Sequence, residues 1–372
     1  MSAGIAQAGG VERTAQSVML VYEQGNRAEL TFGSVRPEIS GKAATPLLGT
    51  SSGNMSENYL SFGAAVKYDI NDRLAFALIY DQPYGADVDY SSSRTYFAAG
   101  STAELDSWAL TAVLKYKLTD RFSVHGGLRY QSLGAKATIP FVAGVNPLTG
   151  APLPGVTAPG TPYEADGKSD TGLGYLIGVA YEMPDIALRV ALTYNSRIRH
   201  ELSTTETTAL GNVSSTTSVD SPQSVNLEFQ TGIAADTLLF GSVRWVDWSE
   251  FDISPKAYLD PRLGGQPLVS YEDDTVTYTL GVGRRFNEKW AGSVAVSYEP
   301  ANGNYASNLG PKDGFWALRL GASYTMDNME ISGGVQYAWI GDTETRVGPF
   351  APATKFEDNS ALGIGLKVAF KF

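Results

Sequence analysis

The feature that most limits how this chain can fold is a two-residue alternation of apolar and small or polar side chains, held over segments of about ten residues. At the C-terminal end Leu362, Ile364, Leu366, Val368, Phe370 and Phe372 alternate with Gly363, Gly365, Lys367, Ala369 and Lys371. A helix would scatter the apolar set around its circumference, whereas a strand sorts the two sets onto opposite faces. The pattern recurs. Trp108, Leu110, Ala112, Leu114 and Tyr116 alternate with Ser107, Ala109, Thr111, Val113 and Lys115. Phe122, Val124, Gly126, Leu128 and Tyr130 alternate with Ser123, His125, Gly127, Arg129 and Gln131. The same reading holds for 186–195 and 315–324. Many apolar rows end in Tyr or Trp, the residues that suit the headgroup level of a bilayer because a ring can carry both an apolar body and a polar edge. Strands of soluble proteins are usually about half this length.

The connections alternate too. Short turns lie near Asn71, Asp120, Asp185, Asp236, Asn287 and Asp327, and long polar loops cover 36–56, 82–103, 133–169, 200–222, 251–272, 300–312 and 341–359. These six turns and seven loops join fourteen strands. The expected fold is therefore all-β: a 14-stranded antiparallel transmembrane β-barrel, with both termini on the short-turn side and the long loops outside. No stretch reaches the roughly 18 apolar residues a membrane helix requires. The mean hydropathy of −0.12 does not argue against a barrel, since its polar lumen face masks its lipid face in any average.

Composition narrows the chemistry. A formal net charge of −11 argues against nucleic acid as a partner. With no cysteine there is neither a disulfide framework nor a thiolate metal site, and His125 and His200 are the only histidines. Glu272, Asp273 and Asp274 read as a solvated loop tip rather than a calcium site. No cofactor, metal or enzymatic activity is expected. Residues 1–8, with the small-x-small element Ala6-Gln7-Ala8, read as the remnant of a cleaved signal peptide, residues 9–27 as an N-terminal plug, and 28–372 as the barrel.

Two features point to function. Lys67, Lys115, Arg129, Arg189, Arg197, Arg244, Arg285, Arg319 and Lys367 all fall on the inward phase, with Asp81 and Glu228 among few inward acids. A net basic lumen that attracts anions or carboxylates is expected from this. The third long loop is apolar and proline-rich, with Ile139, Phe141, Val142, Leu148 and Leu153. Such a loop suits capture of an apolar ligand or packing as a lid over neighbouring loops.

The order of these parts resembles the FadL-type outer-membrane transporters of long-chain fatty acids and other hydrophobic compounds. The resemblance covers nearly the whole chain: the strand count, Gly10-Val11-Glu12-Arg13 ahead of the first strand, the stretch Leu78-Ile79-Tyr80-Asp81-Gln82-Pro83-Tyr84-Gly85, the loop after Tyr130, and the terminal Phe372. It implies passive uptake through a barrel plugged by a short hatch, with lateral exit at a kinked third strand. Pro83, Tyr84 and Gly85 are the expected kink, because proline lacks an N–H and glycine tolerates unusual dihedrals. Arg129, Lys136 and Arg319 are the expected contacts for a ligand carboxylate. The family's Asn-Pro-Ala hatch element is replaced here by Tyr22-Glu23-Gln24-Gly25-Asn26. A general or anion-preferring diffusion porin is the alternative function that the basic row and short plug allow. The expected partners are a long-chain fatty acid or other hydrophobic small molecule, outer-membrane lipid and lipopolysaccharide, and the barrel-assembly machinery, with the chain a monomer in the bacterial outer membrane.

Overall fold

Each alternating segment forms a strand that is hydrogen-bonded to the next in sequence, and the first strand pairs with the last. The computed structural model describes residues 10–93, 95–146, 150–347 and 350–372. The expected signal remnant 1–8 and Leu148 of the apolar loop lie outside the described residues.

The barrel strands are β1 (Arg27–Glu38), β2 (Tyr59–Asp69), β3 (Leu74–Asp81, resuming at Gly85–Asp89), β4 (Thr102–Lys117), β5 (Phe122–Ile139), β6 (Tyr163–Met183) and β7 (Leu188–Asn195, resuming at Ile198–Thr207). They continue as β8 (Val213–Ser221, resuming at Ser224–Ala234), β9 (Thr237–Val246), β10 (Thr275–Arg285), β11 (Trp290–Glu299), β12 (Phe315–Met326), β13 (Met329–Ile340) and β14 (Asn359–Lys371). All neighbours are antiparallel, and β1 meets β14 from Arg27↔Lys371 to Glu38↔Ser360, which closes the fourteen-stranded barrel.

The outward row is apolar where a bilayer would touch it. Leu128, Leu173, Tyr175, Ile177, Leu280 and Ile364 are all exposed. In water so much exposed apolar surface would drive association; against lipid tails it is matched by its solvent. An aromatic belt marks one edge of this band. Its rings run Phe32–Phe62, Phe62–Tyr80, Tyr80–Trp108 and Trp108–Tyr130, with centroids 5.4, 6.0, 6.4 and 5.8 Å apart.

The structure departs from the sequence reading in two ways. Parts of the expected loops 82–103, 133–169 and 200–222 are strand, leaving connections only at 90–101, 140–162 and 208–212. β5 and β6 run for 18 and 21 residues and project beyond the membrane. There an outward face has no need to be apolar, so the polar run Ser203, Thr205 and Thr207 faces water while Leu202, Thr204 and Glu206 face inward. Arg197 is not a lumen residue. Asn195 and Ile198 are both buried, so the alternation skips a step between them and Arg197 turns outward to Asp220, 3.5 Å away. Arg285 keeps the inward phase but lies at the foot of β10, on the rim of the large cavity of the short-turn side, where it pairs with Asp236 of the neighbouring turn.

The interior is filled from the N-terminal side. Residues 10–26 lie within the barrel and end where β1 begins at Arg27. Val11 joins an upper apolar cluster with Tyr84, Leu105, Leu133, Leu202 and Trp248. Val18, Val21 and Tyr22 join a lower one with Ala77, Val113 and Ala191. Gly10 has φ +52°, and a Cβ there would stand 2.6 Å from the Trp248 ring, so only glycine lets the segment enter along that wall.

Candidate functional site

The lumen is a charge-balanced interior organised around residues 10–26. Glu12 pairs with Arg244, whose Nε lies 3.1 Å from both carboxylate oxygens. Arg13 pairs with Asp87 at 2.7 Å. Thr14 donates to Asp81 and Ser17 to Glu228, both at 2.7 Å. Gln16 donates to the Tyr84 hydroxyl at 2.8 Å and accepts from Arg129. Asn226 holds the Ala15 carbonyl at 2.9 Å. Lower down, the Tyr22 hydroxyl meets His125 Nδ1 at 2.7 Å, while Lys115 and Arg189 lie over its ring at 4.4 and 5.5 Å. Hydrogen bonds to a charged group contribute about 1.5–3 kcal/mol each when buried, so the segment is held on several sides of the wall.

These contacts correct the expectation of a net basic lumen. Lys67 pairs with Asp69, Lys115 with Glu182, Arg189 with Glu23, Lys367 with Glu29, and Arg27 with both Glu29 and Glu330. Lys67, Lys115, Arg189, Arg244 and Lys367 are thus each matched by an acid from the same strand, another strand or the N-terminal segment, while Arg129 and Arg319 hydrogen-bond to neutral side chains.

Of the residues expected to meet a ligand carboxylate, Arg129 and Arg319 face the lumen. Arg129 also donates to Thr111 at 2.9 Å. Arg319 gives Nε and Nη2 to Gln336 at 2.9 and 2.7 Å, and lines a cavity of about 1230 Å³ in the periplasmic half of the barrel. Lys136 does not join them. It is separated from Arg129 by an odd interval along β5, so it faces out, in register with Glu104 and Asp166. Of the apolar loop, Ile139 and Val142 are buried against Tyr163 and Tyr258. Phe141 meets the Phe97 ring edge-on at 5.2 Å, and Leu153 is half-buried.

At Pro83, Tyr84 and Gly85 the wall changes partners. The β2–β3 ladder runs from Asp69↔Ala75 to Ala64↔Tyr80 and stops, and the upper piece of β3 forms its ladder with β4, meeting the chain ahead of β2 only by a single bridge between Ser56 and Val88. Ser107 patches the β4 side, accepting from Tyr84 N at 2.8 Å and donating to Tyr84 O at 2.7 Å. On the other side the N-terminal segment replaces β2. Arg13 N donates to Pro83 O at 2.8 Å, and Gly85 N donates to Val11 O at 2.9 Å. Higher up, Glu57 N returns to Asp87 O at 3.1 Å. Between these closures lies a window flanked by 58–63 of β2 and 82–86 of β3. It opens one step above the belt residue Tyr80.

Two apolar cavities lie inside, below the outer loops. The first, of about 50 Å³, is lined by Leu105, Ala135, Leu202, Phe251, Ile253 and Leu309. The second, of about 120 Å³, is lined by Val35, Ile39, Met55, Ile340, Arg13 and Lys312. Both touch Val11, Ala86 and Leu309. Lys312 comes from the loop between β11 and β12. Burial draws its ammonium down to about 8, against the opposing pull of Glu299 and Glu12. Sequence reasoning missed Glu12, Arg13 and Lys312 because none sits on a periodic strand from which an inward phase can be read.

Comparison with known proteins agrees with this architecture. A family described as outer membrane protein transport protein (OMPP1/FadL/TodX) matches residues 19–372. A Pseudomonas aeruginosa FadL homologue superposes with a TM-score of 0.76 at 18% identity, covering 99% of this chain and 97% of that one. The Pseudomonas putida toluene transporter TodX gives 0.65 at 12% identity, with 100% and 98% covered. The Ralstonia pickettii toluene transporter TbuX gives 0.62 at 15% identity, with 94% and 90% covered. At these identities the structural likeness speaks to the fold. A search of the curated proteins finds no match.

Proposed function

The chain belongs to the OMPP1/FadL/TodX family of outer membrane transport proteins, and from that premise we propose that it admits long-chain fatty acids by passive diffusion, with lateral exit into the membrane. The coarser function follows from the family: this is a bacterial outer-membrane barrel for hydrophobic compounds. The observation that carries the finer reading is Lys312, an ammonium on the wall of an otherwise largely apolar cavity. Such a site takes an amphiphile with an apolar chain and an anionic head.

The path follows from the cavities. An acyl chain enters the first cavity beneath 251–269, whose Phe251, Ile253, Leu268 and Val269 form its roof. It passes Val11, Ala86 and Leu309 into the second, where Lys312 meets the carboxylate. Each methylene taken from water contributes about 0.8 kcal/mol, and none of that gain is lost on passing from an apolar cavity into lipid. The window between β2 and β3 provides the way out. Residues 10–26 act as the hatch that blocks a straight aqueous route.

A second reading rests on size. The second cavity, about 120 Å³, is of the order of an engineered cavity that holds benzene, about 150 Å³. Toluene, transported by TodX and TbuX, is therefore a smaller cargo of suitable shape. One experiment separates the readings. The protein is expressed in a bacterium lacking long-chain fatty-acid and toluene transporters, and uptake of labelled oleate and toluene is measured. Oleate uptake above the empty-vector level is expected. Correct barrel assembly with no gain for oleate would sink the fatty-acid reading.

A further inference from the structure

We propose that the periplasmic half of the lumen is a second ligand site, which takes a small aromatic monocarboxylate from the periplasm and holds its anion on Arg319. Five inward cations line the cavity of about 1230 Å³: Arg27, Arg189, Arg285, Arg319 and Lys367. Four of them already face an acid. Arg27 pairs with Glu29 and Glu330, Lys367 with Glu29, Arg189 with Glu23, and Arg285 with Asp236. Arg319 meets no acid among the described residues. Its Nε and Nη2 both donate to Gln336 Oε1, and its Nη1 has no partner there. A guanidinium held in a protein interior without a counter-charge is costly, and an arriving carboxylate removes that cost.

The wall around Arg319 leaves room for such a group. On the inward rows it is flanked by Ala317 and Gly321 of its own strand, by Ala295 in register on β11, and by Gly334 next to Gln336 on β13. None of these is long enough to cover the guanidinium. Gln336 fixes its plane from one side only, so the remaining donors stay turned to the lumen.

Charge and shape narrow the ligand. One open guanidinium edge matches one carboxylate, and the paired cations nearby leave a dianion no second partner. Asp81 and Glu228 also line the space, but each accepts from the hatch, from Thr14 and Ser17 at 2.7 Å, and their other oxygens offer no surface to the cavity. Elsewhere Met19 and Leu20 of the hatch and Leu238 and Phe240 of β9 line the same space. That apolar side suits a ring packed on Phe240. The hatch residues 14–20 close the cavity from above, and the turn residues Pro184, Asp185 and Asp236 ring it on the short-turn side, so the ligand arrives from the periplasm. No residue lines both this space and either apolar cavity above. The site is therefore independent of the fatty-acid reading and of Lys312.

The test uses the full-length protein in lipid nanodiscs and the absence of native cysteine. A nitroxide on Ala291→Cys stands in the periplasmic cavity, and one on Ala338→Cys stands in the apolar cavity that Lys312 lines. The probe is para-trifluoromethylbenzoate followed by fluorine NMR, with para-trifluoromethylbenzamide as its neutral match. The nitroxide at position 291 should broaden the bound benzoate, and that at position 338 should not. Arg319→Gln should weaken benzoate by about tenfold or more, as loss of a charge-assisted contact implies, and leave the benzamide within about twofold. Phe240→Ala should weaken both probes alike. Lys312→Met should change neither, which separates the outcome here from that of the fatty-acid reading. Heat-modifiable gel migration reports assembly of each variant. If Arg319→Gln does not assemble, Arg319→Lys, which keeps the charge and loses the fork, should show a smaller loss confined to benzoate. Equal benzoate affinity in the wild type and the assembled Arg319 variant, or broadening as strong from position 338 as from position 291, would overturn the proposal.

Discussion

Replacing Lys312 by Met tests the proposed head-group site directly. Methionine preserves an unbranched apolar stem and removes the charge. Burial draws the ammonium down to about 8 against the opposing pull of Glu299 and Glu12, so at pH 7 it is charged by about ten to one. A carboxylate placed against it gains a charge-assisted hydrogen bond of about 1.5–3 kcal/mol, or roughly 10- to 150-fold in affinity. Lys312→Met should weaken oleate by that factor and leave oleyl alcohol within about twofold, since the chain contacts persist. The pH dependence has a definite sign. An anion favours the charged amine, so affinity is full below about 8 and falls as pH rises through it. Between pH 7 and 9 the charged fraction drops about tenfold, and so should affinity. A long-chain alkyl sulfonate, ionised throughout, removes the ligand's own titration from the pH series. The assay is displacement of a fluorescent apolar probe from protein in nanodiscs. Equal losses for oleate and oleyl alcohol in Lys312→Met, or a sulfonate affinity that stays flat between pH 7 and 9, would refute the reasoning.

Three further outcomes follow from the geometry. Glu206 is fully buried and accepts from Tyr163 at 2.8 Å and from Ala257 N and Tyr258 N at 3.0 and 3.1 Å. Glu206→Ala should therefore raise hydrogen exchange across 254–268 by roughly one to two orders of magnitude, as loss of about 1–3 kcal/mol of buried hydrogen bonding implies; unchanged exchange would show that the loop is held by something else. Arg244→Ala leaves Glu12 buried without its partner, at about 3–5 kcal/mol, and should turn a quiet barrel into one with flickering conductance in planar bilayers. A large steady current already in wild type would instead remove the hatch from the reading and favour the porin alternative. Tyr22→Ala removes the contact with His125 and both overlying cations, and should expose the N-terminal segment to protease from the periplasmic side, with wild-type cleavage rates as the contrary result.

The barrel was legible in the chain because strand phase is local. Alternation along 107–116 or 362–372 decides which side chains meet lipid, and strand parity alone turns Lys67, Lys115, Arg129, Arg244 and Lys367 inward. Turn and loop spacing settled the strand number for the same reason. What those inward cations do was not legible, because their partners arrive through barrel closure. Arg244 finds Glu12 at a separation of 232 residues, and Ser17 finds Glu228 at 211. A net charge counted along one row therefore misjudged an interior neutralised by other strands. Outside the membrane the cue itself disappears, since a strand bathed in water on its outer face needs no apolar row there, and 200–222 read as loop. Lys312 and Arg13 lie where no periodicity assigns a direction. The packing of a loop and of the N-terminal segment against a wall built from the whole chain sets the one into an apolar cavity and the other through the gap at Gly85.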